Sequence, residues 1–99
     1  MFLYNVTIIV ENDIRDDVRK RIETLLFTHE GKKLPVALLE MLDSPHEGTT
    51  YCVQLRSENM EGITSFQTHH LAAIQQLATK EYPTKILLFD STMKYIKHG

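Results

Sequence analysis

Hydrophobic and polar positions alternate along the start of the chain in a way that predicts a β-strand. Over residues 2–11, FLYNVTIIVE, every even-numbered side chain is apolar, whereas the odd-numbered positions are mixed. Successive side chains of a strand point to opposite faces, so this pattern gives one apolar face and one mixed face. A strand so rich in β-branched and aromatic residues belongs at the centre of a sheet that helices cover.

The next segment has the spacing of an amphipathic helix. Asn12 or Asp13 can cap its N-terminus, and the helical pattern extends to about residue 28. If the last turn stays helical, His29 continues the inward stripe of this helix. The earlier positions of that stripe are predicted to be Ile14, Val18, Ile22 and Leu25.

A second helical pattern begins at a cap, Ser57 or Asn59, and ends before Pro83, because proline disfavours helical geometry in the residue before it. Gln67 lies beside the inward stripe of this helix, and His69 projects about 100° away from His70. Only one of the two adjacent histidines is therefore expected to face the sheet. The buried stripe is predicted to be Ile63, Phe66, His70, Ile74 and Leu77.

Three further segments read as strands: residues 35–44, 49–57 and 85–96, with Asp90-Ser91 marking a bulge or bend in the last. Turn formers at residues 44–48 close a hairpin between the first two of these strands. The order is thus βαββαβ, in one domain of residues 1–99. Right-handed crossovers then interleave into a four-stranded antiparallel sheet with both helices on one face, the ferredoxin-like α+β arrangement, with strands one and three at the centre.

The composition is that of an ordinary globular protein, with 42% hydrophobic and 24% charged residues. A formal net charge of -2 gives no electrostatic reason to expect nucleic acid or an anionic membrane as partner. No apolar run approaches the ~20 residues that cross a bilayer, and no signal-peptide pattern opens the chain. The single cysteine, Cys52, excludes an internal disulfide. We therefore expect a cytoplasmic protein with no nucleic-acid or membrane partner.

Four stretches of the chain, LYNVTIIVE, LDSPHEGTTYCVQ, FQTHHLAAIQ and KILLFDSTMKYI, together resemble a bacterial family of short proteins that form a domain of unknown function. The resemblance covers nearly the whole chain and implies a ferredoxin-like fold related to dimeric α/β barrels, but no particular activity. Members of that family often carry a histidine at the end of the first helix and another in the second. His29 and His70 occupy these places, although EGKK at residues 30–33 replaces a longer proline-containing segment after His29.

His70 is the sharpest candidate for a functional side chain, because burial in an apolar stripe would disfavour a charged imidazole. His29 and Tyr51 are also predicted to point inwards, so the three would converge between helices and sheet as proton-transfer or ligand-orienting groups. Phe66 and Gln67 complete the candidate ligand-binding set. In the alternative, His70 is a core residue that hydrogen-bonds to Tyr51 or a backbone carbonyl. No cofactor and no metal is implied, since metal ligation usually needs three or four convergent groups.

The other histidines are expected to be surface residues, and the cysteine is expected to be a structural residue. His69 is expected near the rim of its helix, His46 in an exposed turn and His98 in a frayed tail. Cys52 has no activating neighbour in the sequence and is expected to be a small packing residue of its strand.

The second face of the sheet predicts an association surface. Both helices cover the opposite face, and uncovered apolar patches commonly mark contacts between proteins. We therefore expect a C2 homodimer in which two sheets face each other. The residues expected on this face are Leu3, Thr7, Ile9, Thr50, Cys52 and Gln54.

Three functions are compatible with these patterns. The preferred one is a dimeric module that binds a small apolar or aromatic ligand between helices and sheet. The second is a cofactor-independent enzyme similar to the monooxygenases and isomerases among dimeric α/β barrels, with His70 and Tyr51 handling protons. The third is a structural or interaction protein without a pocket. The fold does not select among them, but an open cavity at His70 favours the first two and a filled core favours the third.

Overall fold

The structure is a computed structural model that describes residues 1–27 and 34–99. A short 3-10 turn (Asn12–Ile14) leads into the first helix. None of the helices in these ranges is both long and apolar enough to cross a bilayer. The strands are β1 (Phe2–Val10), β2 (Val36–Met41), β3 (Thr49–Ser57) and β4 (Ile86–Lys94), and the α-helical stretches are α1 (Arg15–Phe27), α2 (Met60–Phe66) and α3 (Ala72–Gln76).

The strands form one antiparallel sheet in the order β2-β3-β1-β4. Val6 of β1 lies opposite Val53 of β3 on one side and opposite Asp90 of β4 on the other. Since opposed residues share a face, these pairs define the side of the sheet that meets the helices. The ferredoxin-like prediction, with strands one and three central, is confirmed.

The core lies between this face of the sheet and the helices. Its members come from alternate positions of β1 and β3 and from the inward stripes of the helices. Full burial of one valine, leucine, isoleucine or phenylalanine side chain stabilises the fold by about 1.5–3 kcal/mol. The helical layer is therefore held on one face, and none of the helices in residues 1–27 and 34–99 covers the other face of the sheet. Fully buried core side chains include Val6, Ile8, Val18, Ile22 and Val53.

The second helix is continuous over residues 60–81 but contains two π-helical turns, and we call it the composite helix. The Asn59 side chain caps it by accepting a hydrogen bond from the Gly62 N–H at 3.0 Å. The first π turn, Gln67–Leu71, follows α2, and the Ala72 N–H bonds back five residues to the Gln67 carbonyl. The second, Leu77–Glu81, follows α3.

The first π turn changes which residue enters the core. A regular α-helix would place His70 in the buried stripe, as the sequence predicts, but the wider turn adds one residue between inward positions. Leu71 is consequently buried five positions after Phe66, and His70 is only half-buried. The prediction that His70 sits in the middle of the stripe is therefore wrong by one residue.

Several predicted boundaries also change. The second strand ends at Met41, not at residue 44, because its pairing with β3 stops at Met41 opposite Thr50. The last strand is shorter than predicted at both ends. No bulge occurs at Asp90-Ser91, since the ladder to β1 runs through both residues without an extra one. The predicted end of the first helix, near residue 28, lies outside the described residues.

Candidate functional site

A cleft of about 240 Å³ opens between the first half of the composite helix and the adjacent ends of β2 and β3. We call it the His70 cleft. Its apolar walls come from Leu34, Pro35, Leu55 and Phe66. The polar side chains that line it are Arg56, Ser57, Ser65 and His70. Clefts of this composition are typical of small-molecule sites, where apolar walls provide contact area and a few polar groups fix orientation.

Phe66 and His70 form the helical side of this cleft. Phe66 is 3% exposed, so its ring is fixed by the core. The imidazole of His70 lies beside it, with ring centroids 5.2 Å apart and ring planes inclined at 34°. Residues four apart on a helix lie on the same side of it, which explains this contact. The pair therefore presents an aromatic wall next to a group that can donate or accept a hydrogen bond.

The start of the composite helix lies very close to the end of β3. A Cβ atom at Gly62 would lie 2.3 Å from the Ser57 Oγ, so a larger residue cannot be accommodated there without a shift. The Ser57 hydroxyl donates to the Asn59 carbonyl at 2.7 Å and so fixes the turn between strand and helix. Because Ser57, Gly62 and Phe66 all line the His70 cleft, this close packing sets the shape of one end of it.

A second polar contact lies under the same helix, between β1 and β4. Tyr4 is 1% exposed, and its hydroxyl donates to Asp90 Oδ2 at 2.5 Å. Burial, followed by the hydrogen bond to the Asp90 carboxylate, raises the pKa of Tyr4 to about 12, while Gln67 acts in the opposite direction. The Tyr4 ring also meets Phe66 edge to face, with centroids 6.0 Å apart. Phe66 thus separates this polar contact from the His70 cleft.

Sequence reasoning did not select Tyr4 or Asp90. The signal that could have found them is the register: Tyr4 faces the core on β1, and an acidic residue near the middle of β4 falls on the same face once the two strands are aligned. A buried tyrosine hydroxyl needs a hydrogen-bond partner, and an exposed carboxylate on the helix-facing side of the neighbouring strand supplies one.

The predicted site residues are distributed over more than one location. His70 and Phe66 share the cleft, whereas Gln67 faces Tyr4. Tyr51 is buried and does not line this cleft; its hydroxyl donates to the Arg15 carbonyl at 3.3 Å, and burial raises its pKa. His29 lies outside the described residues. The structure does not bring Tyr51 into the same cleft as His70, so the proton-handling pair is not assembled there.

The remaining histidines lie on the surface. His69 Nδ1 lies 2.8 Å from the Ser65 carbonyl, His46 is exposed in a turn, and His98 stacks edge-on against Tyr95 in the tail. Cys52 is buried in β3 as a free thiol. Across residues 1–27 and 34–99, no three histidine, cysteine, aspartate or glutamate side chains come close enough to hold a metal ion.

Solved structures with the same fold are numerous, and 40 chains match this one. An antibiotic biosynthesis monooxygenase candidate from Deinococcus radiodurans has a TM-score of 0.73 and 11% identity, over 99% of this chain and 95% of that one. A second such candidate, from Bacillus cereus, has a TM-score of 0.61 and 22% identity, over 100% and 94%. A dabb family protein with a ferredoxin-like fold, from Mesorhizobium loti, has a TM-score of 0.53 and 13% identity, over the whole of both chains.

At these identities the likeness shows the fold alone, and no curated protein matches the chain. A family match is more specific, because it covers residues 1–96 in a single alignment, including every strand and helix described above. The resemblance identified from the sequence is thereby confirmed: the chain belongs to the family described as Domain of unknown function (DUF4286).

Proposed function

We propose that this chain is a homodimeric binding module that holds a small aromatic or apolar molecule in the His70 cleft. The observation that carries the proposal is an apolar cleft of about 240 Å³ with an aromatic wall and an adjacent imidazole, placed between helix and sheet. An open cleft at this position favours a binding function over a purely structural one.

The size and chemistry of the cleft restrict the ligand. Its volume of about 240 Å³ is below the about 300 Å³ at which pockets for drug-sized molecules begin, so it suits a molecule with a single ring. Half-buried Leu34 and exposed Pro35 supply most of the accessible apolar surface for that ring. The edges of Phe66 and Leu55, which are 3% and 4% exposed, form the floor beneath it. The Ser65 hydroxyl and the His70 imidazole supply hydrogen-bonding groups for one polar substituent. A phenol is the simplest molecule with these properties.

Binding can be measured by titrating phenol into 15N-labelled protein and following amide chemical shifts. We expect saturable shifts centred on Leu55, Phe66 and His70. The His70→Gln variant should weaken binding by about tenfold, which corresponds to one lost hydrogen bond of ~1.4 kcal/mol. The matched control is His46→Gln, which changes an exposed histidine outside the cleft and should bind phenol as the native chain does. Equal affinity in both variants, with an intact spectrum, would exclude a ligand contact by His70.

The homodimer is proposed from the exposed side chains on the face of the sheet that none of the described helices covers, which we call the open face. Large apolar groups of both edge strands are exposed on it, including Phe89 at 57%. Exposing a cluster of large apolar side chains to water is unfavourable in free energy, and such clusters are typically covered by a partner. A second copy fits because the same patch can meet itself across a two-fold axis. The exposed apolar residues of this face are Leu39, Met41, Leu87, Phe89 and Met93.

A further inference from the structure

The strand β4 lies at one edge of the sheet, and its backbone orientation is fixed by two hydrogen bonds. The Glu11 N–H donates to the Lys85 carbonyl at 3.2 Å, and the Tyr95 N–H donates to the Met1 carbonyl at 3.1 Å. Residues of an antiparallel strand alternate between those bonded to one neighbour and those that point to the other side. The odd-numbered residues of β4 therefore bond to β1. The residues that present their N–H and C=O groups at the free edge are Ile86, Leu88, Asp90, Thr92 and Lys94.

Opposite charges lie symmetrically on this edge about Thr92, with Asp90 two residues before it and Lys94 two residues after it. Four strand residues span about 13 Å, so the two charges of one chain do not meet. Lys94 has no ion-pair partner among the described residues. We propose that β4 pairs antiparallel with β4 of a second copy of this chain, centred on Thr92, so that each Asp90 lies opposite Lys94 of the partner subunit.

The charges favour this register over the two adjacent ones, and a pairing centred on Leu88 would form no ion pair. A pairing centred on Asp90 would place two carboxylates opposite each other, and one centred on Lys94 would oppose two ammonium groups. Centring on Thr92 instead creates two Asp–Lys pairs and one Thr–Thr pair, all between residues whose backbone groups point outwards. About six backbone hydrogen bonds result, two for each such pair.

The same register covers apolar surface. Phe89 comes to lie opposite Tyr95 of the partner subunit, which makes an aromatic cross-strand pair. Ile96 lies two residues beyond the end of β4 and is 96% exposed in the single chain; extending the strand by these two residues places it opposite Leu88 of the partner subunit. Two copies joined in this way form one continuous eight-stranded sheet, with both helical layers on the same side.

Charged residues on an edge strand usually prevent such pairing. Here their order is self-complementary in an antiparallel copy, so the same residues favour a second copy of this chain and disfavour the registers centred on Asp90 and on Lys94. The edge pairing is made by the backbone of β4 and the open-face contact by side chains, with Phe89 common to both, so the inference does not depend on the proposed function. If both surfaces are used, the chain assembles beyond a dimer.

Cross-linking tests the register directly. In a Cys52→Ser background, Thr92→Cys leaves one thiol in each chain, and residues paired at this position have Cα atoms about 5.5 Å apart, within disulfide range. We expect mild oxidation to convert this variant to a covalent dimer. Thr64→Cys, at an exposed position of the composite helix, is the matched control and should stay uncross-linked. Failure of Thr92→Cys to cross-link, or equal cross-linking of both variants, would overturn the proposal.

Mass measurement by light scattering tests the pairing without cysteines. Leu39→Lys, on the opposite edge strand, removes the open-face contact, so this variant should run at twice the 11.5 kDa chain mass through the β4 edge alone. Adding Thr92→Pro, which deletes an outward N–H, should return the mass to one chain. Lys94→Glu should also return the mass to one chain, because it places the new carboxylate opposite Asp90 of the partner subunit. This variant tests the pairing if the proline variant does not fold. A Leu39→Lys mass that neither change alters would contradict the inference.

Discussion

At the scale of single residues, the clearest feature is a tyrosine that is buried with its hydroxyl satisfied. Tyr4 donates to Asp90, and removal of the hydroxyl would leave the carboxylate without this partner. Hydrogen bonds to charged groups contribute about 1.5–3 kcal/mol to stability. Asp90 therefore acts first as a structural acceptor, which accounts for an acidic residue on the helix-facing side of a strand.

Tyr4→Phe is expected to lower the free energy of unfolding by about 1.5–3 kcal/mol in urea at neutral pH. Tyr95→Phe is the matched control, because the hydroxyl of Tyr95 makes no hydrogen bond within the described residues, and it should change stability by less than about 0.5 kcal/mol. Equal stabilities of the two variants would show that the Tyr4–Asp90 contact does not form.

The raised pKa of Tyr4 makes the stability of the chain depend on pH. The pKa of Tyr4 is about 12 in the folded chain and 10.0 in an unfolded one. The unfolded state therefore loses its proton first, so the contribution of Tyr4 is complete below pH 10 and is lost as the pH rises towards 12. The difference in unfolding free energy between the native chain and Tyr4→Phe should shrink over this range. A difference that stays constant would contradict the assigned pKa.

Thr84 is the one non-glycine residue of the described chain with positive φ, at 66°. It occupies the third position of a turn closed by the Lys85 N–H bonding to the Tyr82 carbonyl, where β-branched residues are strained and asparagine is tolerated. Thr84→Asn should therefore raise the stability by about 1 kcal/mol, measured by chemical unfolding. Thr79→Asn, in the preceding helical turn, is the control and should be neutral or destabilising.

At the scale of secondary-structure elements, alternation and helical periodicity located all four strands and both helices. The third strand was predicted with its observed limits, because clear turn formers flank it. The prediction of His70 as a core residue failed because a constant 100° per residue does not represent a π turn. Nothing in the residue types of QTHHL marks that turn; it follows from placing Phe66 and Leu71 in the same core. Likewise, the Tyr4–Asp90 contact required the register between two strands that lie far apart in sequence.

Deletion of one residue distinguishes the π turn from regular helix. Removal of Thr68 leaves three residues between the bonded positions Gln67 and Ala72, which is the i to i+4 spacing of an α-helix, so the turn becomes α-helical while Leu71 stays in the core. We expect the melting temperature to change by about 5 °C or less. Removal of Thr64 from α2 should instead unfold the chain, because it rotates the rest of the helix by about 100°. Equal losses in the two deletions would mean that the turn is not π-helical in solution.

At the scale of the whole molecule, the one-sided packing of helices is the feature with functional consequences. It encloses the His70 cleft on one side of the sheet and leaves apolar side chains exposed on the other. The arrangement of layers could be predicted from the sequence because the helices have one apolar stripe each. The contents of the cleft could not, since they depend on the exact approach of the composite helix to β3 at Gly62 and Ser57.

Phe89→Lys is expected to remove association through the open face, since a charged group would be buried at the contact. Thr92→Pro should be present in both arms of the comparison, so that pairing at the β4 edge does not contribute. The light-scattering mass should then fall from twice to once the 11.5 kDa of the chain. Phe27→Lys is the matched control, because Phe27 is similarly exposed, at 51%, but lies on α1. A mass unaffected by Phe89→Lys would contradict the open-face dimer.

The binding function is tested most directly by a crystal structure of this protein after the crystals are soaked in para-bromophenol. The anomalous signal of bromine then locates the ligand before any ligand atoms are built. The result expected is one strong bromine peak in the His70 cleft, with the ring against Phe66 and the hydroxyl within hydrogen-bond distance of His70 or Ser65. Crystals of His70→Gln should show a weaker peak at the same place. Bromine found only elsewhere, or a cleft closed by its own side chains, would contradict a binding role for this site.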